Sequence, residues 1–221
     1  MTALRKSKIA ELIEFDRKYL KNSILIGTDE AGRGPVAGPV VAAAVCFKDF
    51  GKNTIEAIKY LDDSKRFGTN HKARKELADE IVKHCYYSIQ ECSVQEIEKY
   101  NILQASLLAM KKACNDVINQ ISNDIGLVKN PKILVDGRIK IPDYNIEQEG
   151  IIKGDSKSAS VAAASILAKV HRDEFMMELA TRFPEYDWHK NKGYPTKVHL
   201  RVIQEKGITE WHRKSFLTKY I

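Results

Sequence analysis

The stretch Thr28–Val45, TDEAGRGPVAGPVVAAAV, constrains this chain more than any other. Two adjacent carboxylates, Asp29 and Glu30, follow the apolar run Ile24-Leu25-Ile26. Gly32-Arg33-Gly34-Pro35 comes directly behind them, and a second apolar run, Val40–Phe47, starts after Gly38-Pro39. The pattern predicts strand, corner, strand. Neighbouring side chains of a regular strand point to opposite faces, so Asp29 and Glu30 share one site only where the strand ends or bends. Gly32 and Gly34 supply that freedom and let another backbone approach closely. Two acids, an arginine and bare backbone N–H groups within a few residues point to metal and phosphate chemistry.

Four further observations bound the partner and the compartment. Lys and Arg outnumber Asp and Glu by 36 to 29, a net charge of +7, which favours a polyanionic partner. The four cysteines, Cys46, Cys85, Cys92 and Cys114, form no C-x-x-C pair or zinc-type spacing and read as reduced thiols of a cytoplasmic protein. No apolar run approaches the length of a membrane span. Glu11, Glu14 and Asp16 interrupt any signal core after the basic Met1–Lys8.

Along the chain, apolar positions over 7–20 fit a short leading helix, and 48–54 reads as a loop. A helix starts near Thr69 or Asn70 and runs to about His84, and Tyr86–Cys92 reads as a strand. Ser93-x-x-Glu96 has capping-box spacing before a helix, and a longer one follows over about Ile102–Ile121. Lys132–Asp136 is a short strand ending in an acid, with Gly137 breaking it. Asn145–Lys153 is another strand. Ser156–Arg182 is an alanine-rich helix that Pro184 stops. Thr196 caps a last helix to Lys206, closed by Gly207. Strands first, then alternating helices and strands, predict a mixed α/β layer fold.

Three places put acids where strands end or helices begin: Asp29 with Glu30, Asp136, and Asp155. Such carboxylates suit Mg²⁺ or Mn²⁺, and one or two such ions can drive phosphodiester cleavage. No H-x-x-x-H pair argues for zinc. Asp173 competes with Asp155 for the site. They lie eighteen positions apart, about 27 Å on a continuous helix, so both cannot serve one cluster. Asp155 follows Lys153-Gly154 and also reads as an N-cap; Asp173 also reads as a surface pair with Arg172 or Lys169.

These motifs resemble, in order, those of bacterial ribonuclease HII. They are Asp29–Pro35 (DEAGRGP), Asp63-Ser64-Lys65, Val135-Asp136-Gly137, Lys153–Ser158 (KGDSKS), Ala162–Asp173 (AAASILAKVHRD) and Gly193–Lys197 (GYPTK), and the likeness runs from about Ile24 to Phe216. The related ribonucleases HIII carry an extra N-terminal domain, which the 23 residues before Ile24 do not match. The resemblance implies a ribonuclease H-like fold: a mixed five-stranded sheet flanked by helices, with a helical C-terminal part. It implies one domain over 1–221, with a helical lead at 1–22 and a C-terminal loop and helix from about 184. It implies an endonuclease that cuts the RNA strand of RNA–DNA hybrids, and DNA duplexes at single embedded ribonucleotides.

Carried over residue by residue, the catalytic and metal-binding acids are Asp29, Glu30, Asp136 and Asp155, with Mn²⁺ or Mg²⁺. Gly32, Arg33 and Gly34 are expected to read the ribonucleotide's 2′-hydroxyl and adjoining phosphates, and Tyr194 to sense the DNA–RNA junction. Ser64 and Lys65 are further substrate-binding candidates. Lys153, Lys157, Lys190, Lys192 and Lys197 are candidate phosphate contacts. The expected state is a monomer that touches nucleic acid and no membrane. A non-catalytic nucleic-acid-binding module is the rival reading. It leaves four acids facing a polyanion unexplained.

Overall fold

The computed structural model describes residues 8–20, 23–61, 70–128 and 130–220. At its centre is a five-stranded sheet: β1 (Leu25–Ala31), β2 (Val40–Phe47), β3 (Cys85–Cys92), β4 (Lys132–Asp136) and β5 (Glu147–Ile151). The strand order is β3-β2-β1-β4-β5. The pairs β1–β2 and β2–β3 are antiparallel, while β1–β4 and β4–β5 are parallel.

Alternation along β2 sets the two layers. Val41, Ala43, Val45 and Phe47 join one buried cluster with α1 (Lys8–Arg17), α3 (His71–Ile81) and α6 (Ala159–Arg182). Val40, Ala42, Ala44 and Cys46 join the other, with α4 (Val94–Tyr100) and α5 (Ile102–Ile125). Three consecutive alanines keep β2 thin, so a long helix presses on each face. The tightest approach is at Gly27. A Cβ there would come within 2.3 Å of Ser160 and Val161 backbone atoms on α6. All four cysteines are buried and unpaired.

Local signals mostly act as expected. Asn70 caps α3, and Ser93 and Glu96 complete the capping box of α4. Thr196 caps α8 (Lys197–Lys206), which ends at Gly207. The loop expected over 48–54 holds a helix, α2 (Lys52–Ala57), because Asp49 accepts from Gly51 N–H and the Thr54 hydroxyl and so organises its first turn. The leading helix stops at Arg17, and Leu20 beyond it is exposed. Asp16 is fully buried in α1. It accepts from the Ser160 backbone N–H at 2.8 Å and its hydroxyl at 2.7 Å, tying the lead to the start of α6. Burial pushes its carboxyl up to about 6.

After Pro184 the chain forms a third cluster, in which Trp188, Val202, Ile203 and Leu217 pack on Met176 and Leu179 of α6. Two short helices, α7 (Trp188–Asn191) and α9 (Lys214–Leu217), belong to it. No described helix is long and apolar enough to cross a membrane.

Candidate active site

Asp29 and Glu30 lie inside β1, not at a corner beyond it, because the strand continues to Ala31 in register with β2. Asp29 is on the face covered by α6, where the Ser165 side chain hydrogen-bonds to it. The Glu30 backbone N–H donates to Asp29 Oδ1 at 2.7 Å. The parallel register pairs Thr28 with Val135, so Asp136, the last residue of β4, ends up beside Asp29. Asp136 Oδ1 accepts from the Gly154 N–H at 2.7 Å, which brings Asp155 alongside.

Asp155 sits in a single 3-10 turn, Gly154–Ser156, and does not cap the helix. Ser158 takes that role, accepting from Val161 N–H at 3.2 Å, so α6 starts three residues later than its sequence pattern suggests. Lys153, in the left-handed region at φ 55°, makes the bend that separates β5 from α6.

The four acids interact through their charges. Burial, then the charges of Glu30 and Asp136, push the Asp29 carboxyl up to about 8. Burial also raises Glu30, against the pull of Arg33. Asp136 is raised by burial and by Asp155, against the Gly154 N–H. Among the described residues no three carboxyl, imidazole or thiol groups are placed to hold a metal ion as they stand. Asp29, Glu30 and Asp136 each already accept a hydrogen bond within the chain.

Beside the acids is a cleft of about 330 Å³ lined by Glu30, Gly32, Arg33, Gly34, Ser165, Lys169, Arg172 and Tyr194. Of the four acids it reaches Glu30, and not Asp29, Asp136 or Asp155. Arg33 is exposed and pairs with Glu30 at 3.1 Å. Gly32 has φ +99°, and a Cβ there would meet Arg172 Nε at 2.1 Å. The Tyr194 ring packs over Gly34 while the residue stays 47% exposed.

The loop that presents Gly32–Gly34 is held by two buried guanidiniums. Arg172 donates to the carbonyls of Ala37, Pro39 and Lys192 at 3.0–3.1 Å. Arg213 donates to Gly38, Pro35 and Pro39 at 2.8–3.0 Å, and to Arg33 at 3.4 Å. Arg172 is therefore no partner of Asp173 on the surface. Asp173 is 4% exposed and pairs with Lys169 at 2.6 Å and Arg74 at 3.5 Å.

Of the expected substrate-binding residues, Gly32, Arg33, Gly34 and Tyr194 meet at this cleft. Ser64 and Lys65 lie outside the described residues. Lys153, Lys157, Lys190 and Lys197 are exposed, and Lys192 is half-buried, donating to the His189 carbonyl. The sequence named Lys169 only as a partner of Asp173, which it is, and gave neither Ser165 nor Arg213 a role of its own. The one available signal was for Arg172, an arginine on the inward stripe of an alanine-rich helix.

A family model described as ribonuclease HII matches residues 26–219. Curated relatives carry the same name. That of Fusobacterium nucleatum is 46% identical over 208 residues, covering 94% of this chain and 90% of the relative. That of Rickettsia akari is 43% identical, covering 93% and 97%. Among solved structures, the ribonuclease HII of Archaeoglobus fulgidus, determined in complex with PCNA, superposes with a TM-score of 0.67 at 26% identity, covering 88% of this chain and 94% of that one. A ribonuclease HIII solved with Mn²⁺ shares the fold, with a TM-score of 0.66 at 19% identity, covering 97% of this chain and 72% of that one. The chain belongs to the ribonuclease HII family, the type 2 ribonuclease H endonucleases.

Proposed function

We propose that this ribonuclease H hydrolyses the RNA strand of RNA–DNA hybrids, and cuts DNA duplexes at single embedded ribonucleotides, through Asp29, Glu30, Asp136 and Asp155 holding Mg²⁺ or Mn²⁺. The observation that supports this reading is the placing of Asp29 and Glu30 on β1, Asp136 at the end of its parallel neighbour β4, and Asp155 in the turn whose Gly154 N–H is bonded to Asp136, with Glu30 lining the Gly32-Arg33-Gly34 cleft. The donors are all oxygen, as hard divalent cations require. Burial first, and then the charges of Glu30 and Asp136, raise the Asp29 carboxyl to about 8, and a divalent cation beside it would favour its ionised form. When bound, such ions supply an activated water and stabilise the departing oxygen of a phosphodiester.

The chain's own residues do the rest. Gly32 and Gly34 let the backbone approach the sugar, and the 2′-hydroxyl is what distinguishes RNA from DNA at one nucleotide. Arg33, exposed and already paired with Glu30, can exchange that partner for a phosphate. The half-exposed face of Tyr194 offers a stacking surface for the junction nucleotide. Residues 1–221 act as one domain, since the C-terminal part holds the loop carrying Gly32-Arg33-Gly34. We place the enzyme in the cytoplasm, where its buried thiols stay reduced.

The test is a substrate panel: a duplex with one ribonucleotide, a continuous hybrid and an all-DNA duplex, each with and without divalent cation. Cleavage of the first two, only with cation, supports the reading. Metal-independent binding without cleavage would support the binding-module alternative.

A further inference from the structure

We propose that His199 is a positioning residue for Tyr194, holding its backbone through an Nδ1–H bond that a chain of buried aromatic hydrogen bonds enforces. The inference rests on the assignment of Tyr194 to junction reading.

The tautomer follows from the donors alone. An indole N–H can only donate, and Trp188 Nε1 lies 3.0 Å from His199 Nε2. His199 Nε2 is therefore an acceptor. The Thr209 backbone N–H points at His212 Nδ1 at 2.9 Å, so His212 carries its proton on Nε2. That nitrogen is 3.1 Å from His199 Nε2 and shares the same acceptor. The proton of His199 is left on Nδ1, 2.9 Å from the Tyr194 carbonyl oxygen. The Thr196 N–H donates to the same oxygen at 2.8 Å, so both its lone pairs are engaged.

The surroundings keep this arrangement. His199 and Trp188 are fully buried and His212 is 2% exposed, with Tyr186 stacked on Trp188. Burial depresses both imidazoles, which keeps each ring neutral with one donor and one acceptor. The result reaches the cleft through one residue. The Tyr194 ring lies over Gly34, so fixing its carbonyl fixes where the aromatic stands beside Gly32-Arg33-Gly34.

Two variants separate positioning from packing. His199→Asn keeps a donor at the δ position and loses the ε acceptor. His199→Gln keeps an acceptor at the ε position and loses the δ donor. The readout is cleavage of the single-ribonucleotide duplex relative to a continuous hybrid, with Tyr194→Ala alongside. His199→Gln is expected to lower that ratio about fivefold, the worth of one neutral hydrogen bond. His199→Asn should keep the wild-type ratio while melting at lower temperature. A wild-type ratio in folded His199→Gln, or an equal loss in both variants, overturns the proposal. If Tyr194→Ala leaves the ratio unchanged, the reading of Tyr194 itself fails, and the proposal with it. A measurement on the unmutated protein needs no variant to fold: nitrogen NMR of the ring should show His199 as the Nδ1–H tautomer, and an Nε2–H signal contradicts the inference.

Discussion

At the end of the sheet, Asp29, Glu30, Asp136 and Asp155 gather like charges, with Arg33 the cation that faces them, on Glu30. Where the C-terminal part meets the same loop, Arg172 and Arg213 also bring like charges together, yet they are almost fully buried. The difference is in the hydrogen bonds. The guanidiniums spend their N–H groups on six carbonyl oxygens between Arg33 and Lys192, so backbone dipoles satisfy them without a counter-ion. The carboxylates have few donors, and Asp29 is raised by burial first and by the charges of Glu30 and Asp136 after it. The basic cluster is satisfied by the protein's own carbonyls, while the acidic one, in the proposed reading, takes a divalent cation. That contrast is what the proposed division of labour rests on, catalysis by the acids and loop scaffolding by the arginines.

The sharpest way to break the contrast is Asp29→Asn or Asp136→Asn. Each keeps shape and loses charge, so cleavage should fall by about a thousandfold or more, at least the loss from one electrostatic contact to a transition state. The fold should stay intact or melt slightly higher, because a repulsive charge has gone. Near wild-type turnover with Mg²⁺ removes that residue from the site.

On the basic side the largest loss should be in stability. Arg213→Lys cannot reach Pro35, Gly38 and Pro39 at once, and carbonyls left dry cost about 1–3 kcal/mol each. Denaturant unfolding should show about 3 kcal/mol lost. A loss under about 0.5 kcal/mol, the range of an ordinary surface change, would mean the clamp is decorative.

The two ends of α6 give a finer comparison. Asp155→Asn should reduce turnover far more than Asp173→Asn. The latter breaks a buried pair with Arg74 and Lys169 and should cost about 3 kcal/mol of stability instead. Equal turnover losses in two folded variants would put Asp173 in the chemistry. Smallest is Tyr194→Ala. Losing one stacking surface should cost roughly tenfold on the single-ribonucleotide duplex, with affinity little changed because charge supplies most of it. Rates on both substrates at one salt concentration decide this.

Much of the site was legible in the sequence because it is local. Asp29-Glu30 and Gly32-Arg33-Gly34 are contiguous, and Asp136 ends an apolar run that Gly137 breaks. What was not legible depends on distance through the fold. Arg213 is 174 residues from Pro39, and no periodicity reports that they touch. Asp173 looked exposed because its partner Arg74 arrives from another helix. Asp155 looked like a cap because a 3-10 turn and a helix start carry the same residue types; only the Gly154–Asp136 bond separates them.

The central claim, that the four carboxylates await a divalent cation, is tested most directly by the melting temperature against pH, with and without Mn²⁺. A carboxyl raised in the fold lends stability that is complete below its ordinary value and lost as pH rises through its folded one. For Asp29, raised to about 8, and Asp16, raised to about 6, the metal-free protein should melt lower as pH climbs from about 5 to about 8. Mn²⁺ should reverse most of that fall at pH 8, by about 2–4 °C for each kcal/mol relieved. It should do little for Asp29→Asn or Asp136→Asn. Equal stabilisation of the wild type and both variants by Mn²⁺ would contradict the account.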